Sequence, residues 1–314
     1  MEPQYKDEAH GIEMYQGDCI EILPQLLEKY KGQVNCVLSD PPYGIAYVSN
    51  HRTDADLLGQ AIENDEDLDV IAKAAPYLDE LLAMNSALYF FAHPNMVGEN
   101  REIFDQYWTY KNLLVWDKGD AGTFGDLVAG YSLNYESVFY YNKGRKPLNG
   151  SRPRTILRWD GNSTGRKISE IEPDEYLTVI EKLIRVVPED KHEEILTSFP
   201  QDIIKHALYK HPKAQIRKDW SSRNDPVHPT VKPIPLLIQL LKNSTDEGDL
   251  VIDPFMGSGT CAAACKALGR RFIGIELRPP FFTVAINRVN KQTLFDRPAP
   301  PPVQQMMWSL EDLK

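Results

Sequence analysis

A doubly wound, mostly parallel α/β sheet interrupted by an inserted, mainly helical and loop module is the fold class that this sequence predicts. Three observations predict it. Short apolar runs alternate with helix-period stretches from residue 12 to 142, the rhythm breaks over 150–223, and it resumes from 233 to 291. Strands that alternate with helices are βαβ units, whose crossovers make the pairing parallel.

Taken in order, "IEMYQGD" (12–18) reads as a strand, and "CIEILPQLLEKY" (19–30) as a helix with Leu23, Leu26, Leu27 and Tyr30 on one face. Pro24 fits only near that helix's first turn. Next come the strand "VNCVLSD" (34–40), a long polar loop, the helix "LDVIAKAAPYLDELLAMN" (68–85) and the strand "ALYFFAH" (87–93). A helix near 99–108, the strand "NLLVWDKG" (112–119) and "YESVFYYNKG" (135–144) close this half. Beyond the break lie the helix "PIPLLIQLLKN", the strand "DLVID", a glycine loop, the helix "TCAAACKAL", the strand "RFIGIEL" and the helix "FFTVAINRVNK". Within the break, helices are expected near 173–187 and 191–197, and the tail "DRPAPPPVQQ" reads as extended.

The composition is that of a soluble globular protein, 42% hydrophobic and 25% charged over 314 residues. The polar start "MEPQYKDEAHG" lacks the pattern of a signal peptide, and apolar runs such as "ALYFFA" (87–92) are too short to span a bilayer. Cys19, Cys36, Cys261 and Cys265 suggest no disulfide framework, so a reducing, cytoplasmic setting without membrane contact is expected. The net charge of −10 hides an asymmetry. Residues 143–167 hold eight Lys/Arg against one acid, 205–223 hold six against one, and 168–196 between them hold nine acids and three bases. One such run is usually a solvated face; two, interleaved with Trp159, Tyr209 and Trp220, read as a phosphate-tracking surface. The expected nucleic-acid contacts are Lys143, Arg145, Lys146, Arg152, Arg154, Arg158, Arg166, Lys167, Lys213, Arg217, Lys218 and Arg223.

"DLVIDPFMGSGTCAAACKALGRRFIGIEL" (249–277) is a complete β-loop-α-β unit. Gly257-x-Gly259-x-x-Ala262 satisfies the G-x-G-x-x-A spacing, and Glu276 ends the next strand, placed to accept hydrogen bonds from ribose hydroxyls. NAD and S-adenosylmethionine both suit the unit. Asp253 favours the second, because a carboxylate before the loop repels a pyrophosphate and attracts a cationic aminoacyl-sulfonium. Only one further strand follows, so a dinucleotide lacks its second platform. Cys261 and Cys265 are spaced i, i+4, but no further Cys or His pair is spaced to complete a tetrahedral site, and no metal is expected.

In "LSDPPYG" (38–44) a strand leaves through an acid and two prolines that lack N–H donors. Taken alone this is a turn. Beside the cofactor loop it resembles something more specific: "DPPY" (40–43), "DPFMGSGT" (253–260), "HPTVKP" (228–233, with Val231 where Gln is usual) and "GDC" (17–19) are together similar to the motifs of the amino-group DNA methyltransferases that modify adenine N6 or cytosine N4. Their order resembles the permuted β class. The resemblance implies a seven-stranded S-adenosylmethionine-dependent sheet, with a catalytic half at 1–149, a target-recognition, DNA-binding module at 150–223, a cofactor-binding half at 224–297 and a Pro-rich tail at 298–314. It also implies a double-stranded DNA substrate, and is compatible with a homodimer and with a restriction endonuclease partner.

The resemblance further implies that Asp40 and the Pro41 carbonyl accept the two N–H groups of the target amine, that Pro42 keeps that carbonyl stiff, and that Tyr43 stacks on a base flipped from the duplex. Asp18 and Cys19 belong to the adenine wall of the cofactor pocket and Glu276 to its ribose; Asp253, Phe255, Gly257, Ser258, Gly259 and Thr260 line the methionine part, with Thr230 and Lys232 nearby. His228 is as suited to fixing a loop as to catalysis. Asp at the head of the motif resembles adenine-directed members, with cytosine N4 as the alternative. Carbon-5 chemistry does not fit, since it uses a Pro-Cys dipeptide and there is none. A NAD-dependent oxidoreductase leaves "DPPY" and the basic module unexplained, and an inactive DNA-binding relative leaves Asp40 and Tyr43 without a task.

Overall fold

The computed structural model describes residues 1–45, 67–118, 134–150, 153–158 and 232–290. Among these residues nine strands form one sheet: β1 (Tyr5–Asp7), β2 (Ile12–Gln16), β3 (Val34–Ser39), β4 (Leu82–Ala92), β5 (Thr109–Asp117), β6 (Tyr135–Lys143), β7 (Ile156–Arg158), β8 (Leu250–Asp253) and β9 (Arg271–Glu276). They lie in the order β1-β2-β9-β8-β3-β4-β6-β5-β7. Pairing is parallel throughout except at β1–β2, β4–β6 and β5–β6. The expected seven strands are all present; the three-residue strands β1 and β7 are additions at the two edges.

Among the described residues six α-helices cover the sheet: α1 (Cys19–Tyr30), α2 (Asp69–Leu81), α3 (Val97–Phe104), α4 (Ile234–Ser244), α5 (Thr260–Leu268) and α6 (Pro279–Asn290). The strands sort their side chains by the two-residue period. Val37, Leu88, Phe90, Ile252 and Ile273 face a core shared with Leu23 and Leu26 of α1, Ile71 and Leu78 of α2, and Phe104 of α3. Cys36, Leu38, Tyr89, Phe91, Val251 and Phe272 face the opposite core with Leu236, Leu237, Leu240 and Leu241 of α4, Ala264 and Cys265 of α5, and Phe282 of α6. Burial on both faces explains why these strands read as continuous apolar runs.

Two boundaries differ from expectation. Pro24 is the sixth residue of α1, a turn further in than expected, so the N–H that would bond the Ile20 carbonyl is missing. The helix holds because Ile22, Leu23 and Leu26 are all buried against the sheet. The second is at the end of α2, where Leu82 already pairs with Val34 of β3. The ladder resumes only at Cys36–Ala87, so Ala83–Asn85 bulge outward, with Asn85 at φ +64°, while Ser86 is buried and pairs with Lys143 of β6. Asn85 Oδ1 then accepts the Arg145 amide at 2.9 Å, a bond across 60 residues of sequence that ties the bulge to the end of β6.

β3 and β8 are the centre of the arrangement. From β3 the chain continues outward to β4, and from β8 it continues the other way to β9, so their carboxyl ends border the crevice where open α/β sheets bind ligands. The loop after β8 turns sharply into α5 at Gly259 (φ +76°), where a Cβ would come within 2.7 Å of Ala285 Cβ and 2.9 Å of its Cα. We expect Gly259→Ala to destabilise the fold by about 1–3 kcal/mol, read as a lower urea midpoint with unchanged slope.

Candidate active site

Asp40, Asp253, Asp18 and Glu276 follow or end β3, β8, β2 and β9, four strands adjacent in the sheet, and so share one end of it. Ser39 Oγ donates to Asp253 Oδ1 at 2.6 Å, joining the end of β3 to that of β8 across 214 residues of sequence. Asp253 Oδ1 also accepts the Phe255 amide at 3.1 Å. Asp18 caps α1, accepting the Ile20 amide at 2.9 Å. Glu276 Oε2 takes the Gly257 amide and Oε1 the Arg278 amide, each at 2.8 Å, while its carbonyl takes the Gly17 amide at 3.0 Å. Glu276 thus clasps the three loops after β2, β8 and β9.

This rim is acidic, and its three carboxylates accept backbone amides and a serine hydroxyl. Burial pushes the Asp253 carboxyl up to about 7, only partly opposed by Ser39 and the Phe255 amide. Such a rim suits a ligand that brings its own positive charge and repels a pyrophosphate. That is the chemistry of S-adenosylmethionine. The remaining expected contacts pack around it: Cys19 is buried, its thiol pushed up to about 12 by burial; Phe255 packs against the α1–α3 core; and Ser258 and Thr260 are buried, Thr260 Oγ1 accepting from the Arg288 guanidinium. Among the described residues no group of three His, Cys, Asp or Glu could hold a metal.

The "DPPY" segment lies beside this rim in a different electrostatic setting. Lys232 Nζ donates to Asp40 Oδ2 at 2.6 Å and to Tyr43 Oη at 3.0 Å, and lies 3.2 Å from Glu136 Oε2. Tyr43 Oη donates to Asp40 Oδ1 at 2.7 Å, a shorter contact than its 3.3 Å approach to Glu136. Lys118 Nζ bonds Glu136 Oε1. Lys232, grouped by sequence with the cofactor pocket, is therefore placed on the Asp40 carboxylate, and the Tyr43 hydroxyl is tethered to the same group. Pro41 is buried, Pro42 is half-buried, and no described residue donates a hydrogen bond to the Pro41 carbonyl. Sequence reasoning missed Glu136 and Lys118. The one available signal was a carboxylate opening the otherwise apolar run "ESVFYY" at the catalytic end of its strand.

The expected nucleic-acid contacts divide. Lys143, Arg145 and Lys146 lie at the other end of β6, about 24 Å from Glu136 by strand rise, and Lys143 ion-pairs with Asp79 at 3.2 Å. Arg154 precedes β7, and Arg158 pairs in register with Asp117, at the same end as Asp40. Arg152, Arg166, Lys167, Lys213, Arg217, Lys218, Arg223, His228 and Thr230 lie outside the described residues, as do the two helices expected within the insertion.

Comparisons with known proteins agree with this geometry. A family model described as DNA methylase (N6_N4_Mtase) matches residues 34–287. The type II methyltransferase M2.DpnII of Streptococcus pneumoniae is 46% identical over 65 residues, 21% of this chain and 24% of that protein. M2.LlaDCHI of Lactococcus lactis subsp. cremoris is 45% identical over 64 residues, 20% and 24% of the two chains. The match thus spans about a quarter of the length of these curated relatives. Among solved structures, the M1.HpyAVI–SAM complex superposes with a TM-score of 0.51 at 21% identity, over 88% of this chain and 99% of that one. PvuII DNA methyltransferase (cytosine-N4-specific) superposes with a TM-score of 0.56 at 16% identity, over 93% and 91%. At these identities the likeness is one of fold.

The Asp253 shift has a consequence for stability. Its folded pKa, about 7, lies above the ordinary 3.8, so the folded state holds the proton more tightly and stability falls as pH rises from about 4 to 7, then levels off. We expect the apo protein to lose a few kcal/mol over that window from this group, and Asp253→Asn to remove that loss, measured by urea unfolding at pH 5 and pH 8.

Proposed function

Because the chain belongs to the N6/N4 DNA methylase family, we propose that it transfers a methyl group from S-adenosylmethionine to the N6 amine of an adenine flipped out of double-stranded DNA. The observation that carries the reading is the meeting of "DPPY" and the acidic glycine-loop rim at the adjoining ends of β3 and β8, tied by the Ser39–Asp253 bond of 2.6 Å.

When bound, S-adenosylmethionine supplies an electrophilic methyl group on a sulfonium. Asp253, with Gly257 and Gly259 of the loop, would hold its methionine part, Asp18 its adenine and Glu276 its ribose. An exocyclic amine is a poor nucleophile because its lone pair is delocalised into the ring. Two acceptors on its two N–H groups favour a pyramidal nitrogen, and Asp40 and the Pro41 carbonyl are such a pair. The carbonyl is open to this role, since Pro41 and Pro42 donate no N–H and no described residue bonds it. Tyr43 offers its ring to the base, a stacking contact worth about 1–3 kcal/mol, while its hydroxyl holds Asp40. A carboxylate has about four lone-pair sites, so Asp40 can accept the amine beside Lys232 and Tyr43. The amine's surplus proton leaves toward Asp40 after transfer. Asp at the head of "DPPY" supports adenine over cytosine. The basic segments at 152–167 and 205–223 supply the DNA contacts, and Arg158 marks where the first of these leaves the catalytic end of the sheet. The likeness to type II methyltransferases supports a place beside a restriction endonuclease, in the cytoplasm where DNA is; among the described residues no helix is long and apolar enough to cross a membrane.

Incubation with S-adenosylmethionine and unmethylated DNA, followed by nucleoside mass spectrometry, is expected to yield N6-methyladenine. N4-methylcytosine would correct the base, and no methylated nucleoside on varied DNA would overturn the reading. Asp40→Ala is expected to lower single-turnover transfer by at least about a hundredfold while cofactor affinity, by calorimetry, is kept. Equal loss of both would make Asp40 a cofactor ligand.

A further inference from the structure

We propose that Glu136, backed by Lys118, is a positioning residue for the amine-accepting carboxylate: it fixes Lys232 on Asp40 and balances that lysine's charge. The inference rests on the methyl-transfer reading, since it concerns the state of Asp40 during that reaction.

The geometry is a row of alternating charge. Asp40 Oδ2 meets Lys232 at 2.6 Å, Lys232 meets Glu136 Oε2 at 3.2 Å, and Lys118 closes the row on Glu136 Oε1. The side chains are 22%, 5%, 15% and 22% exposed for Asp40, Lys232, Glu136 and Lys118, so none is solvated well enough to stand unpaired. The three donors of the Lys232 ammonium face three oxygens, on Asp40, Tyr43 and Glu136, which allows one orientation of the side chain. Its ammonium also lies 5.2 Å from the Phe91 ring centroid and 5.5 Å from that of Tyr43. Remove Glu136 and the lysine keeps Asp40 as its sole counter-charge. The pair is then neutral, and the carboxylate offers little field to an amine that becomes positive on methylation.

The groups that face Asp40 are Lys232, Tyr43 and Glu136, with Asp253 on the neighbouring strand and the His93 ring 6.5 Å from that of Tyr43. Those that face Glu136 are Lys118, Lys232, Tyr43 and Asp40. Burial pushes Asp40 up, Lys232 pulls it down and Glu136 pushes it up again, for a net rise above the ordinary aspartate range. Burial also pushes Glu136 up, but Lys232 and Lys118 outweigh it and hold this carboxyl below its usual value. Glu136 is thus the charged anchor, and Asp40 the group whose proton affinity it tunes.

The test is a double-substitution cycle with wild type, Glu136→Gln, Lys118→Met and the double variant, each read by single-turnover methylation against pH at saturating S-adenosylmethionine and by thermal unfolding without ligands. Protonated Asp40 carries no charge to stabilise the developing cation and cannot take its surplus proton, so the acid limb of the rate follows its pKa. Glu136→Gln removes a negative charge: the limb moves to lower pH by about one unit, and the plateau rate falls by about ten- to a hundredfold. Lys118→Met leaves Glu136 less compensated and moves the limb the other way. The double variant restores charge balance, brings the limb back toward wild type and loses less thermal stability than the two single losses combined. Cofactor affinity stays at the wild-type value in all four. If wild type methylates DNA but the single variants shift the limb in the same direction or not at all, or their stability losses simply add, the inference falls and the functional reading stands. If wild type itself forms no methylated nucleoside, the functional reading falls and takes the inference with it.

Discussion

The pairing of β3 with β8 is the constraint on which the rest depends. Only two residue pairs stand in ladder register, Cys36–Val251 and Val37–Ile252. Side chains clamp this short ladder at both ends. Asn35 Oδ1 accepts the Leu250 amide at 2.9 Å where the strands begin, and Ser39 Oγ donates to Asp253 Oδ1 at 2.6 Å where they end. A one-residue slip would turn Val251 and Ile252 to the opposite cores and break both clamps. Because the register cannot slip, Asp40 and Asp253 emerge side by side, although the long insertion separates them in sequence.

From that junction the sheet end divides into two electrostatic regimes. On the β2–β9–β8 side, Asp18, Glu276 and Asp253 hold backbone amides and a hydroxyl, which orient carboxylates without cancelling their charge. On the β4–β6–β5 side, each carboxylate has a lysine in contact: Asp40 has Lys232, and Glu136 has Lys232 and Lys118. The first regime attracts a cationic ligand. The second holds a charged carboxylate in one place without attracting one.

Most of this could be read from the sequence because it is local or periodic. The alternation of strands and helices follows from apolar patterning, and the α4 face of Leu236, Leu237, Leu240 and Leu241 is buried as its spacing predicts. The sharp loop before α5 is legible in its glycines. What was not legible is non-local. The bulge at Ala83–Asn85 depends on Leu82 finding Val34, which no window around 82–86 contains. Lys232 lies within the motif-like segment "HPTVKP", and nothing near it in sequence indicates that its partner is Asp40, 192 residues away. Glu136 and Lys118 are single charges on strands 18 residues apart, and they become a pair only through the β5–β6 register, in which Trp116 faces Glu136.

The contrast between Asp253 and Asp40 shows why the catalytic side needs lysines. Asp253 is buried with only neutral donors, and burial lifts its pKa to about 7. A carboxylate in that state is half protonated near neutrality, which a cofactor's own positive charge would correct on binding. In the proposed reaction Asp40 has no such help, because the amine it would accept arrives neutral and becomes positive only during transfer. Its counter-charge has to be built into the protein, and Lys232 supplies it. A lone lysine, however, would neutralise the carboxylate it stabilises. Glu136 divides the lysine's attention between two acids, and Lys118 keeps Glu136 ionised. A row of four alternating charges is thus an arrangement that would leave Asp40 paired, fixed and still able to attract a developing cation.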